Sequence, residues 1–185
     1  MSAGPKRQPP AMNLYLLRHG IAVQQDDPST QNDDAARPLT AKGLKRMRKA
    51  ARGLGRFNIA FDAIVTSPAL RARQTAEIVA AVLGLESVLE ELSELAPEGS
   101  VESLLFNLTR FQNHSNLLLV GHEPLLGDLA SFLLTLNHES KLAVALKKAG
   151  MCRIEIDALP PTECGTLCWL MTPKQLRQLA TRRAD

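Results

Sequence analysis

Three short apolar runs, each breaking off beside a basic residue and a helix start, constrain this chain more than any other feature. Asn13 to Leu17 stops at Arg18-His19-Gly20, Ala63 to Thr66 runs into Ser67-Pro68, and Asn116 to Val120 runs into Gly121-His122-Glu123-Pro124. Such runs, bounded by turn signals, predict strands buried on both faces, where no polar alternation is needed. Helical patterns fill the gaps. Thr40 caps a helix to about Leu54, with Gly55 as its stop and Leu44, Met47, Ala51 and Leu54 as its buried stripe. Ser67-Pro68 opens a helix, with Pro in the first helical position, that reaches Leu83 and stops at Gly84. Further helices are predicted from Val101 to Phe111 and from Pro124 to about Leu136, whereas Gln24 to Asp34 reads as a loop and Glu86 to Pro97 as an acidic linker.

The last part of the chain changes period. From Met151 to Leu159, Cys152, Ile154 and Ile156 alternate with Arg153, Glu155 and Asp157, which predicts a half-exposed strand. Thr166 to Met171 pairs back across a turn from Pro160 to Gly165, and Thr172-Pro173 caps a final basic helix. Strands alternating with helices, then a hairpin, predict a three-layer α/β/α sandwich with a mostly parallel sheet. At 185 residues, 45% hydrophobic and 22% charged, the chain is expected to form one domain over residues 12–185 behind a flexible, Pro-rich, basic leader over residues 1–11. That leader has no apolar core, so no secretory signal is expected. The longest apolar stretch, Leu125 to Leu136, carries Asp128 and is too short to span a bilayer. Three cysteines, Cys152, Cys164 and Cys168, fit no metal-ligand spacing and read as reduced thiols, pointing to a cytoplasmic protein without a membrane association.

The net charge of +3 is unevenly spread: Arg37 to Arg56 holds eight basic residues and no acid, and Glu86 to Glu102 holds six acids and no base. A basic block is either a solvated helix face or an anion-binding surface. Aromatics make up 4% and none interrupts the block, which argues against stacked bases and hence against nucleic acid as a partner.

Arg18 and His19, Arg71, and His122 follow the three strands, at the sheet edge where open α/β folds bind ligands. Helix N-termini there favour an anion. Arg71, expected in the fourth helical position, opposes the helix dipole at a cost of roughly 0.3–1 kcal/mol, a sign that an anionic ligand reverses. Taken singly, Arg71 reads equally as a surface arginine, and each histidine as a structural residue at a strand end. His114 and His138 are expected at the surface. Gly20 and Gly121 are expected to allow tight turns and close backbone approach. Two arginines and two histidines without a carboxylate cluster suit a phosphoryl group better than a metal. Neither His-Glu-x-x-His, a P-loop nor a Gly-x-Ser-x-Gly elbow is present.

In order along the chain, Arg18-His19-Gly20, Ser67-Pro68-Ala69-Leu70-Arg71-Ala72-Arg73-Gln74-Thr75-Ala76 and Gly121-His122-Glu123-Pro124 resemble the three motifs of the histidine phosphatase superfamily. Arg37-Pro38-Leu39-Thr40, Glu94-Leu95-Ala96-Pro97 and Trp169-Leu170-Met171-Thr172-Pro173 are similar to its short phosphohistidine phosphatase branch. The resemblance implies His19 as nucleophile, forming a transient phosphohistidine, with Arg18, Arg71 and His122 completing the phosphate pocket and neither metal nor organic cofactor. It leaves the general acid open: Glu94 falls where a motif glutamate would, and Glu98 and Glu123 are alternatives. The activity this implies is a metal-independent phosphatase acting on phosphohistidine of a signalling protein. The alternatives are a phosphomonoesterase for a sugar or nucleotide phosphate, or a catalytically silent phosphate-binding module.

Overall fold

The computed structural model of the protein describes residues 12–27, 30 and 33–181. The leader expected over 1–11 lies outside them. The first apolar run is strand β1 (Met12–Arg18). Helix α1 (Ala41–Leu54) follows, and the Thr40 hydroxyl accepts from the Gly43 N–H at 2.9 Å as its cap. Next come β2 (Ala63–Thr66), α2 (Leu70–Leu83), β3 (Leu89–Glu91), α3 (Val101–Leu108), β4 (Asn116–Gly121) and α4 (Leu125–Thr135). The hairpin strands β5 (Met151–Ile156) and β6 (Thr166–Met171) and helix α5 (Pro173–Leu179) complete the order. α5 opens on a capping box in which Thr172 and Gln175 satisfy each other's backbone N–H. No helix among the described residues is long and apolar enough to cross a membrane.

The six strands form one sheet in the order β3-β2-β4-β1-β5-β6, parallel from β3 to β1 and antiparallel through β5 and β6. Alternate side chains of each strand enter different cores, as the two-residue strand period requires. Leu14, Leu16, Leu117 and Leu119 pack with Leu104, Leu126 and Leu129 of α3 and α4. Tyr15, Leu17, Leu118 and Val120 pack with Met47, Ala76 and Leu176 of α1, α2 and α5. The architecture is therefore the expected three-layer α/β/α sandwich. α1 and α5 approach so closely that a Cβ on Gly53 would collide with the Leu176 carbonyl. At the edge of the sheet, Trp169 stacks on Phe57 with ring centroids 5.5 Å apart and lies 6.0 Å from Tyr15.

Four local expectations need correction. α2 begins at Leu70 with the extended Ala69 as its cap residue, because the Ser67 hydroxyl accepts from the Ala69 N–H and bonds His122 rather than an N–H inside the helix. Arg71 is thus the second helical residue rather than the fourth. The acidic linker contains β3, which pairs with β2 in the register Ile64 to Leu89. Three residues, two of them glutamates, carry no strand signal of their own. Gly55 keeps a right-handed φ of −58° and continues into a 3-10 turn, and it is Asn58 that takes the left-handed φ of 49°. Leu44 is only half-buried, and Ala50 fills the stripe in its place.

Register then fixes where chemistry can gather. Arg18 lies opposite Gly121, and Thr66 opposite Val120, so the carboxyl ends of β1, β4 and β2 finish at one level. β1 sits where the chain order reverses in the sheet, which is the place for a ligand crevice.

Candidate active site

Arg18, His19, Arg71 and His122 come together at these strand ends. The backbone holds the first pair from three sides. The His19 N–H donates to Gly121 O at 3.0 Å, the Gly20 N–H donates to Thr75 Oγ1 at 3.0 Å, and the Ala149 N–H is shared between the carbonyls of Arg18 and His19. Thr75 in turn donates to Arg71 O at 2.6 Å, which ties α2 to the turn after β1. His19 Nδ1 lies 2.7 Å from Gly20 O, and a carbonyl there requires a proton on Nδ1. Nε2 is therefore left with its lone pair. His122 Nε2 lies 2.8 Å from Ser67 Oγ, which already accepts from the Ala69 N–H, so the Ser67 hydroxyl hydrogen is available to His122. The two imidazole centroids are 5.0 Å apart.

The arginines are fixed by carbonyls and one acid. Arg18 donates to Leu146 O at 2.8 Å. Arg71 donates to Asp34 O at 2.6 Å and to Asp34 Oδ2 at 2.8 Å, while Asp34 Oδ1 pairs with Arg37 at 2.8 Å. Arg71 is 3% exposed, which removes the surface-arginine reading. Nε of both Arg18 and Arg71, and Nδ1 of His122, are buried without a hydrogen-bond partner among the described residues. Buried donors left unpaired at one place mark a site built for an acceptor the protein does not itself supply.

The field matches. Burial lowers the His19 pKa to about 4, with the Arg71, Arg18 and Lys148 charges adding to the effect. Burial likewise lowers His122 to about 3, aided by His19 and Arg71. Both imidazoles are neutral at pH 7, and a neutral Nε2 beside two guanidiniums is a nucleophile facing an anion hole. Burial also lowers Arg71, offset by Asp34. Among the described residues no group of three or more His, Cys, Asp or Glu could hold a metal ion.

Two of the candidate acids, Glu94 and Glu123, are engaged away from this cluster. The Glu94 carboxylate accepts from Ser93 and, at 3.1 Å, from Asn107 of α3. Both oxygens of Glu123 are bound to backbone, at Gly127 N and Leu146 N, so this residue joins α4 to the segment before β5. Glu98 is exposed, and of the three it alone contributes its charge at Arg71. His138 is exposed and pairs with Glu102; His114 is half-buried against Phe111. Cys152 is buried, which pushes its thiol up to about 12, and Cys164 and Cys168 are exposed. Gly20 and Gly121 have no positive φ, and a Cβ on Gly121 would meet only ordinary contacts, so the expected tight turns are not what these glycines provide. Sequence reasoning missed Asp34, Thr75 and the segment from Leu146 to Gly150. The spacing Asp34-Ala35-Ala36-Arg37 was the available signal for the first, since one carboxylate there reaches both arginines.

The fold and the four-residue cluster suit an anionic group such as a phosphoryl group. The sequence profile of the histidine phosphatase superfamily (branch 1) matches residues 14–97. The chain belongs to this superfamily and is a phosphatase. It is similar to the phosphohistidine phosphatase SixA of Escherichia coli, 29% identical over 168 residues that cover 90% of this chain and 97% of that protein. It is 42% identical over 146 residues to an uncharacterized protein of Picosynechococcus, covering 76% of this chain and 82% of the other. The structure of the protein histidine phosphatase SixA with tungstate superposes with a TM-score of 0.76 at 29% identity, over 89% of this chain and 99% of that one. An alpha-ribazole phosphatase from Shigella flexneri shares the fold, with a TM-score of 0.68 at 21% identity over 88% and 97% of the two chains.

Proposed function

We propose that the protein hydrolyses phosphohistidine on a protein partner through a phosphohistidine formed on His19. In the first step the Nε2 lone pair attacks phosphorus, the substrate P–N bond breaks, and its electrons stay on the leaving nitrogen. The substrate ring, protonated on its other nitrogen, departs as neutral imidazole and needs no acid from the enzyme. In the second step water attacks the phosphorus on His19, releasing inorganic phosphate and restoring Nε2. Arg18, Arg71 and His122 carry the unpaired donors suited to the phosphoryl oxygens as charge shifts between them. These residues need no metal to do so.

The observation that carries this reading is the engagement of the nearby acids other than Glu98, which is exposed and is the acid that the test below addresses. Glu94 and Glu123 are bound elsewhere, and both oxygens of Asp34 are taken by Arg71 and Arg37. Expelling an alkoxide calls for a proton donor worth typically 10²–10⁴ in rate, whereas an imidazole leaves without one. The likeness to SixA supports the same substrate class.

The test is kcat/KM for a phosphohistidine peptide against an alkyl phosphate, repeated with Glu98→Gln, together with rapid-quench labelling. The peptide should be preferred, and the acid-labile phosphoenzyme should vanish in His19→Ala. Equal turnover of the alkyl ester, lost in Glu98→Gln, would assign Glu98 as general acid and the protein as a small-molecule phosphatase. Labelling that persists in His19→Ala would remove the covalent route.

A further inference from the structure

Beside the His19 turn lies a cleft of about 290 Å³ lined by Gly20, Ile21, Arg46, Lys147, Lys148, Lys174 and Arg177 among others. Five cations and no acid face it, and none of the five makes an ion pair among the described residues. Arg46, Lys147, Lys148 and Lys174 are exposed, and Arg177 is half-buried. The crowding is real at close range: Arg46 acts on Arg177 and Lys148 on His19, each lowering the other group's pKa. A second cleft, of about 470 Å³, is lined by Lys45, Arg48, Lys49 and Arg52 of α1 with Ala180 and Thr181. α1 thus lines both clefts with cations, Arg46 in the one beside Gly20 and Lys45, Arg48, Lys49 and Arg52 in the other, and together they make a cationic tract. The turn itself is tied to α1, because Gly43 packs so closely that a Cβ there would collide with the Ile21 carbonyl.

We infer that this tract docks an acidic surface of the protein that carries the substrate phosphohistidine, with the cleft beside Gly20 taking carboxylates adjacent to the phosphorylated residue. The inference rests on the proposed phosphohistidine substrate and adds where that partner is gripped. Self-repelling cations kept together without partners oppose folding, and an opposite charge arriving from outside reverses that sign. The tract spans two clefts, so it exceeds the reach of a single phosphate monoester and fits a macromolecular surface. No aromatic side chain lines either cleft, which leaves nothing for nucleic-acid bases to stack on.

The experiment uses two phosphohistidine peptides, one flanked by four glutamates and one by four glutamines. The wild-type protein should show a KM at least about tenfold lower for the acidic peptide at low salt, with the advantage fading as the Debye length shrinks. Arg46→Glu/Lys174→Glu should abolish that advantage, and Arg48→Glu/Lys49→Glu should reduce it. Both variants should turn over an aryl phosphate as wild type does. Equal KM for the two peptides in wild type would overturn the docking surface. So would an equal loss on aryl phosphate in the variants, tighter capture of a single-stranded oligonucleotide than of octaglutamate, or self-association that the variants dissolve. Hydrolysis of neither peptide would instead sink the phosphohistidine reading. Docking is then judged from octaglutamate binding, which must be salt-sensitive in wild type and lost in Arg46→Glu/Lys174→Glu.

Discussion

At the scale of single residues, the depressed histidines make a testable link between charge and stability. Folded His19 and His122 release their protons near pH 4 and 3, whereas an unfolded histidine does so near 6.5. The unfolded chain therefore binds more protons between these values. The stability these two groups contribute is fully present above about pH 6.5 and is lost as pH falls through about 4 for His19 and about 3 for His122. Vanadate or phosphate, by placing negative charge beside both rings, should move the acid unfolding midpoint to lower pH. Denaturation curves across this range with and without phosphate check it, and a midpoint indifferent to both histidines and phosphate would refute it. Arg71 reverses an expectation. As a cation at a helix start it looked costless to remove, but it is buried and paired with Asp34. Arg71→Ala should lower kcat/KM by about 10²–10³ and also destabilise by roughly 1–2 kcal/mol. Near-normal kinetics with a large loss of stability would make it purely structural.

Elements explain what could be read in the sequence and what could not. β1, β2 and β4 were legible because a strand covered on both faces must be a short unbroken apolar run, and α1 because Thr40 and its buried stripe agree. The gathering of Arg18, His19, Arg71 and His122 was legible for the same reason: basic residues immediately after such strands have few places to go. β3 was not, since Glu90 and Glu91 are held in a strand only by β2 alongside. Asp34 and the segment around Ala149 were not, since their roles depend on contacts with residues far along the chain. Asp34 lies in a loop that the Leu70 N–H holds through Ala35 O at 2.9 Å. Asp34→Asn loosens the Arg71 guanidinium, so kcat/KM should fall roughly tenfold to a hundredfold as its aim is lost, without loss of the phosphoenzyme. An unchanged kcat/KM would show that Asp34 positions nothing. The α1–α5 contact gives a control far from chemistry. Gly53→Ala forces the helices apart at Leu176 and should cost about 1–3 kcal/mol, with turnover at low temperature unchanged. A melting temperature equal to wild type would mean the helices separate freely.

For the whole molecule, the layers place every charged function on one rim. The parallel strands end there, and the positive field of α1 continues from the same rim. Activity should survive prolonged chelation, measured with and without added divalent ions, because the proposed chemistry uses only protein cations. Activity lost on chelation and restored by a divalent ion would overturn that. At the edge of the sheet, β5 pairs with β1 and buries Met151, Cys152, Ile154 and Ile156 in the two cores, while β6 pairs with β5.

The aromatic cluster at that edge has an optical consequence. Trp169 is the only tryptophan in the chain, and it stands on β6 between Phe57 and Tyr15. Its fluorescence therefore reports the packing of β6 against Phe57 and Tyr15, while circular dichroism averages over the whole backbone. Where the two signals coincide through a urea titration, the edge and the parallel strands melt as one cooperative unit. Where fluorescence moves first, the hairpin peels away from an intact catalytic half.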